Sequence, residues 1–535
     1  MTETTLFRNG SVLLPDGRRG HALAVRGDRI VALDDDAVEL GGREVDLAGG
    51  LVLPAFRDGH VHPLWGGVDL GRLPLDHCST VDEIVAAVAD HAARRPDLDW
   101  IIGGPFLADI PPGGRGEATW LDAVVPDRPV VLSANDYHTM WVNSRALALA
   151  GIDADTPDPD LGVIVRDAAG RPTGTLIEAG AMGLVERLLP HPTAEEMRAG
   201  LDRGLGHLAS LGIAWVQEAA ASPSDGEVYL AAARAGALPI RVNIAWRAEP
   251  AVWRDRFRRF AALRDEIAGE ESCAGRLTAR TVKFFADGVI EQGTGHVLEP
   301  YDDDHHSCGL PNWTPEELTE AVTAADRLGF QIHVHAIGDG GIRMALDAIE
   351  AAVSTNGRRD RRPVIAHTQL VDRGDRPRFA RLGVVANFEP LWAQLDDTML
   401  DLTIPRLGPD RSALQYPIGT LARLGGPISF GSDWPVSSAD PLAGLAVAVT
   451  RQTPNGEPVG GWLPEERIPV LDAVAAYTTG VAHQAYDEQD RTGLALGAVA
   501  DLVLVDRDIT AIAGGEVADA TARGLWVEGA EVWRR

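Results

Sequence analysis

The sequence predicts an α/β protein: a (β/α)8 TIM barrel, a small β-sandwich built from both chain ends, and a subdomain inserted after the first barrel strand. Three observations predict it. Eight β-like runs are mostly separated by helical patterns, both chain ends are β-rich, and the first two runs lie too far apart for a single crossover. The implied boundaries are 1–55 for the first part of the sandwich, 56–485 for the barrel with its insertion at about 66–195, and 486–535 for the second part.

Ser11–Leu14, Ala22–Arg26, Arg29–Leu33 and Gly50–Leu53 read as strands, with turns at Pro15-Asp16-Gly17 and Gly27-Asp28. Ala500–Val505, Gly524–Val527 and Ala530–Trp533 repeat that texture at the other end. The barrel runs are Leu51–Phe56, Ile213–Val216, Ile240–Ala245, Thr281–Phe285, Gln331–His335, Val364–Ala366, Val384–Asn387 and Ile428–Phe430. Helical stretches such as Ala194–Leu211, Pro315–Leu328, Gly341–Val353 and Pro417–Leu424 lie between them.

Composition excludes several classes. The chain has 535 residues, 78 acidic against 49 basic, and a formal net charge of −29. That field repels a nucleic-acid backbone, so no nucleic-acid partner is expected. No apolar run reaches 18 residues, so no membrane span is expected, and Met1–Asn9 lacks the pattern of a secretory signal. Cys78, Cys273 and Cys308 are too scattered for a zinc pattern or a disulfide framework. A cytoplasmic enzyme acting on a small molecule fits these limits. There is no phosphate-cradling loop.

Lys283 is the only lysine among the 49 basic residues. A coding bias toward arginine would have replaced a lysine that supplied charge alone. Arginine stays protonated in a protein, whereas a buried lysine becomes a neutral amine. Lys283 sits on the fourth run, in Val282-Lys283-Phe284-Phe285-Ala286-Asp287-Gly288.

His60 and His62 follow the first run and, two apart on an extended segment, share one face. His333 and His335 close the fifth run, His367 the sixth, and Asp433 the eighth. All six, with Lys283, fall at the predicted C-terminal edge of barrel strands, where such folds carry their sites. Histidines such as His91, His191, His207 and His483 lie in or near helical stretches and read as ordinary. The clustering points to a metal centre.

The motifs Asp58-Gly59-His60-Val61-His62, Val282–Gly288, His333–Asp339, Ile365–Thr368 and Gly431–Val436 together resemble the amidohydrolase superfamily. More narrowly, they resemble its branch of N-substituted formamide deformylases, and the likeness includes Asp136–Leu147 within the insertion. The resemblance implies a metal-bearing barrel with two divalent cations, zinc being favoured. His60 and His62 would bind the first. Lys283, carboxylated by carbon dioxide to a carbamate, would bridge the two. His335 and His367 would bind the second, and Asp433 would bind the first and shuttle protons. His335 is preferred to His333 as ligand, with His333 placed behind it. His138, Trp141, Asp287, Glu291, His333 and Trp434 are candidates for orienting ligands or substrate, and Glu389 is a comparable loop residue. A homodimer is a further expectation from the family.

The expected reaction is hydrolysis of an amide-type or N-formyl carbon–nitrogen bond by metal-activated water. The same scaffold would also serve a heterocycle deaminase, an ester or lactone hydrolase, or a metal-binding module without catalysis.

Overall fold

A computed structural model describes residues 3–489, 491 and 493–535. Eight strands form one all-parallel sheet in sequential order: Phe56–Val61, Ile213–Ala221, Arg241–Arg247, Leu277–Phe285, Gln331–Ala336, Val364–His367, Val385–Phe388 and Ile428–Phe430. They are the first to eighth barrel strands. They are almost wholly buried, as parallel strands covered by helices must be, and several carry polar side chains inside the barrel. The eighth comes round beside the first. Beyond the strand ends, the Asp433 amide donates to the His60 carbonyl at 2.7 Å and the His62 amide donates to the Trp434 carbonyl at 2.9 Å. Gln484 ties the same seam, donating to the Gly59 carbonyl at 2.8 Å and accepting from the Ser429 hydroxyl at 2.6 Å.

The expected first run, Leu51–Phe56, divides in two. Leu51–Pro54 pairs with Leu502–Val505 and Thr4–Leu13 in a separate sheet, and the barrel strand starts at Phe56. Both halves are apolar, so hydropathy could not separate them; the break falls at Pro54-Ala55, where proline offers no amide to a ladder. His60 consequently lies inside the strand, and His62 stands at the start of helix Pro63–Asp69.

Both chain ends build that second sheet, of eight strands. Phe7 meets Trp526 edge to face at 4.9 Å in its core. Asp501, beside this sheet, accepts two bonds from Arg241 at the start of the third barrel strand, the shorter 2.5 Å, with both side chains buried.

Helices cover the barrel. Pro315–Arg327 shows the local logic: Thr314 and Glu317 form a capping box, Pro315 takes the first turn, and Leu318, Ala321, Val322 and Ala325 make the buried stripe. Such a cap contributes about 1 kcal/mol. Ala194–Ser210 packs close against Pro63–Asp69, because a Cβ on Gly67 would lie 1.8 Å from the Gly200 carbonyl oxygen. This contact fixes the helix that follows His62. Between these two helices the chain makes a five-stranded sheet of Ile101–Phe106, Val130–Ala134, Thr139–Val142, Val163–Arg166 and Pro172–Ile177. No helix among the described residues is long and apolar enough to cross a membrane.

Candidate metal centre

His60, His62 and Asp433 each offer a ligand atom, and these atoms all lie within 4.8 Å of one another. Asp433 Oδ1 is 3.1 Å from His62 Nε2 and 3.4 Å from His60 Nε2. It is buried, and among the described residues the groups facing it are these two imidazoles. A buried carboxylate needs compensating charge or donors, which an imidazolium or a bound cation supplies. Two imidazoles and one carboxylate are a suitable donor set for a divalent metal, so the residues fit the group.

Carboxylates stand behind these candidate ligands. Glu218, at the end of the second strand, lies 3.4 Å from His62 Nδ1 and accepts from the Tyr229 hydroxyl at 2.5 Å. Burial disfavours charge on His62, but Asp433 and Glu218 outweigh it and hold its pKa up to about 9. His333 stands behind His60, its Nε2 2.9 Å from His60 Nδ1. Glu389 holds His367 Nδ1 at 2.9 Å, and the Trp392 indole stacks on the other side chain surface of His367 at 5.4 Å, nearly parallel. Asp58 accepts from the Ser432 amide and hydroxyl and the His60 amide, tying the first strand to the eighth; burial pushes its pKa up to about 7. His367 and Asp433 both adopt positive φ, of 71° and 54°. Such strain in non-glycine residues persists where the surroundings over-determine it, commonly at functional sites.

Lys283 is fully buried, with Nζ 3.1 Å from His60 Nε2. Burial pulls its pKa down to about 7, although Asp433 and Glu389 favour the charged form. Its in-register neighbour is His333, and Phe285 is paired with His335. The His335 ring lies 4.5 Å from that of His367 and 5.2 Å from that of Phe285. His335 Nε2 is 3.2 Å from the Gly288 carbonyl oxygen.

The insertion delivers His138, whose ring lies 5.5 Å from that of His335. Its Nδ1 meets Glu178 at 2.9 Å, and Glu178 accepts in turn from Thr294 at 2.5 Å. Burial opposes the imidazolium, but Glu178 dominates and raises the pKa to about 9.

Other sequence candidates are placed differently. Asp287 is buried, accepts from the amides of His296, Ile337 and Gly338, and lies 3.8 Å from His335 Nε2, so it ties the loops after the fourth and fifth strands beside that histidine. Glu291 accepts from Thr403 at 2.8 Å. The Trp141 indole donates to the Glu117 carbonyl and packs against Phe106 and Trp120 inside the insertion. Trp434 packs on Gly66 and His207. Neither tryptophan ring makes a ring contact with His60, His62, His335 or His367, and both are buried in hydrophobic cores instead. Glu218, Glu178 and Trp392 were missed by sequence reading. Only Glu218 had a signal, its place at a strand's C-terminal end.

A parallel barrel with clustered histidines and a carboxylate at the strands' C-terminal ends defines a metal-dependent hydrolase. The chain belongs to the amidohydrolase family, whose profile matches residues 43–533. Protein LONG AFTER FAR-RED 3 of Arabidopsis thaliana is 32% identical over 94% of this chain and 86% of its own length. The N-substituted formamide deformylase of Arthrobacter pascens is 27% identical over 97% of this chain and 96% of its own. The crystal structure of an uncharacterized metal-dependent hydrolase from Pyrococcus furiosus matches with a TM-score of 0.71 and 25% identity, covering 95% of this chain and all of that one.

Proposed function

We propose that this hydrolase cleaves an amide-type carbon–nitrogen bond of a small molecule, of which the N-formyl group is the leading case. The observation that carries the reading is the convergence of His60, His62 and the buried Asp433 carboxylate at the strand ends. The likeness to a formamide deformylase over nearly the whole chain supports the bond class.

The residues divide the work. His60, His62 and Asp433 would hold one divalent cation, zinc being favoured by the nitrogen and oxygen donors. When bound, that ion supplies Lewis acidity and lowers the pKa of water toward about 7. Asp433 accepts the proton of the attacking water and returns it to the leaving nitrogen, which departs poorly without one. His138, held by Glu178, faces the same space and orients the carbonyl. Lys283, as a neutral amine, would add to carbon dioxide with loss of one proton to water, and the resulting carbamate would offer an anionic oxygen ligand. His335 and His367, with rings 4.5 Å apart, would then hold a second cation.

A one-cation site is a second reading with its own support. Among the described residues only His60, His62 and Asp433 form a ligand-sized group, and such a centre suits a deaminase. Metal analysis together with assays on formamides, acylated amines, cyclic amides, lactones and aminated heterocycles separates them. Two ions per chain with amide turnover is expected. One ion with release of ammonia from a heterocycle would replace the proposal.

A further inference from the structure

Arg247 ends the third barrel strand, where sequence reading found no candidate. The residue before it, Trp246, turns outward and stacks on Phe260 of helix Trp253–Gly269 at 5.6 Å. Alternation along a strand therefore turns Arg247 to the inner face. Its in-register neighbour on the fourth strand is Lys283. The two cations flank one ring: the Arg247 guanidinium carbon lies 5.3 Å from the Phe285 centroid and Lys283 Nζ lies 4.8 Å from it. That ring in turn rests against His335 at 5.2 Å. Arg247 thus stands on the wall that carries Lys283 and His335, at the open end of the barrel.

Its guanidinium donates no hydrogen bond to any described residue. The nearest carboxylate, Glu249, is 3.7 Å away and gives its short contact to Arg256, at 2.6 Å. Glu186 acts on Arg247 only through charge. The side chain is 45% exposed, so the edge of the guanidinium that carries its donors is open to an incoming molecule while one face rests over Phe285. Across the barrel, the segment after the seventh strand carries Asp396, Asp397 and Asp401, and Thr398 joins it to Asp109.

We propose that Arg247 receives a carboxylate of the substrate, so that the enzyme's amides are those bearing an anionic group near the scissile bond. This rests on the amide-hydrolase reading and names its substrate class. A guanidinium meets a carboxylate with two parallel donors, which fixes orientation as well as charge. In a protein of net charge −29 the effect is local and gives selectivity at contact rather than long-range capture.

The test is calorimetric titration of the metal-loaded protein with N-formylglycine and with its uncharged analogue N-formylglycinamide, alongside turnover of both. Wild type is expected to bind the carboxylate ligand more tightly. Arg247→Met should weaken that ligand roughly ten- to hundredfold and leave the amide analogue within about twofold; Arg247→Lys should lose less. Equal weakening of both ligands, no carboxylate preference in wild type, or no binding of either overturns the assignment. Turnover of uncharged amides without carboxylate preference also removes Arg247 from recognition while leaving amide hydrolysis standing. Carboxylate-selective binding that Arg247→Met abolishes, with no turnover of any amide, keeps Arg247 and overturns the hydrolysis reading.

Discussion

Asp433 and His60 meet twice across the seam between the eighth and first barrel strands. The Asp433 amide donates to the His60 carbonyl at 2.7 Å, while the Asp433 carboxylate stands 3.4 Å from His60 Nε2. The bonds that close the barrel at this seam therefore also set two candidate ligands beside each other, so closing the barrel and assembling the site are coupled.

Removal of metal tests the centre directly. Dialysis against a chelator should abolish turnover, and added zinc should restore it. Because the ion binds the folded chain, hundredfold excess over its dissociation constant should add about 2.7 kcal/mol of stability, read as a rise in melting temperature. A melting temperature indifferent to chelator and metal would count against the site.

Asp433→Asn should keep the fold and part of the metal but lower kcat by roughly 10²–10⁴, the contribution of a positioned proton-transfer group. Circular dichroism and metal analysis separate this from unfolding. Near-normal kcat would assign the proton to another group.

Lys283→Arg keeps a positive charge yet removes the only amine side chain. Activity should fall by at least about a hundredfold, as when a transition-state-stabilising group is lost. Wild type grown or incubated with ¹³C-bicarbonate should show a carbamate resonance that the variant lacks. Full activity in the variant would remove the bridge.

Glu218→Gln should weaken metal binding about 10–100-fold, since the carboxylate behind a ligating histidine fixes its orientation and basicity. Competition with a chromogenic chelator measures it. An unchanged affinity would leave Glu218 as a partner of Tyr229 alone.

Acid should loosen the join between barrel and terminal sheet. Asp501 is buried, which would raise its pKa, but Arg241 and Arg57 outweigh that and hold it down to about 2. A carboxyl whose folded pKa lies below its unfolded value stabilises at pH above about 4 and loses that contribution as pH falls toward 2. The loss is about 2 kcal/mol. Denaturant melts from pH 5 to 2 should show it in wild type, and Asp501→Asn should be less stable at pH 5 with a shallower decline. Parallel declines in the two proteins would assign the acid lability elsewhere.

The sequence by itself determined the barrel and singled out most of the candidate ligands. Ionisable groups toward the C-terminal ends of β-runs can be picked out locally: His60, Lys283, His335, His367 and Asp433 could each be read one strand at a time. Tertiary structure decided what depends on partners distant along the chain. It divided Leu51–Phe56 between two sheets, because both halves are equally apolar and only pairing with Leu502–Val505 separates them. It put Glu218 behind His62 and Glu178 behind His138, across 156 and 40 residues of chain, contacts that no local pattern encodes. It turned the Trp141 and Trp434 indoles into hydrophobic cores, and left Arg247 at the mouth with no hydrogen-bond partner. Residue type fixes what a side chain is able to do, whereas the neighbours that set its charge, tautomer and exposure arrive only when the barrel closes.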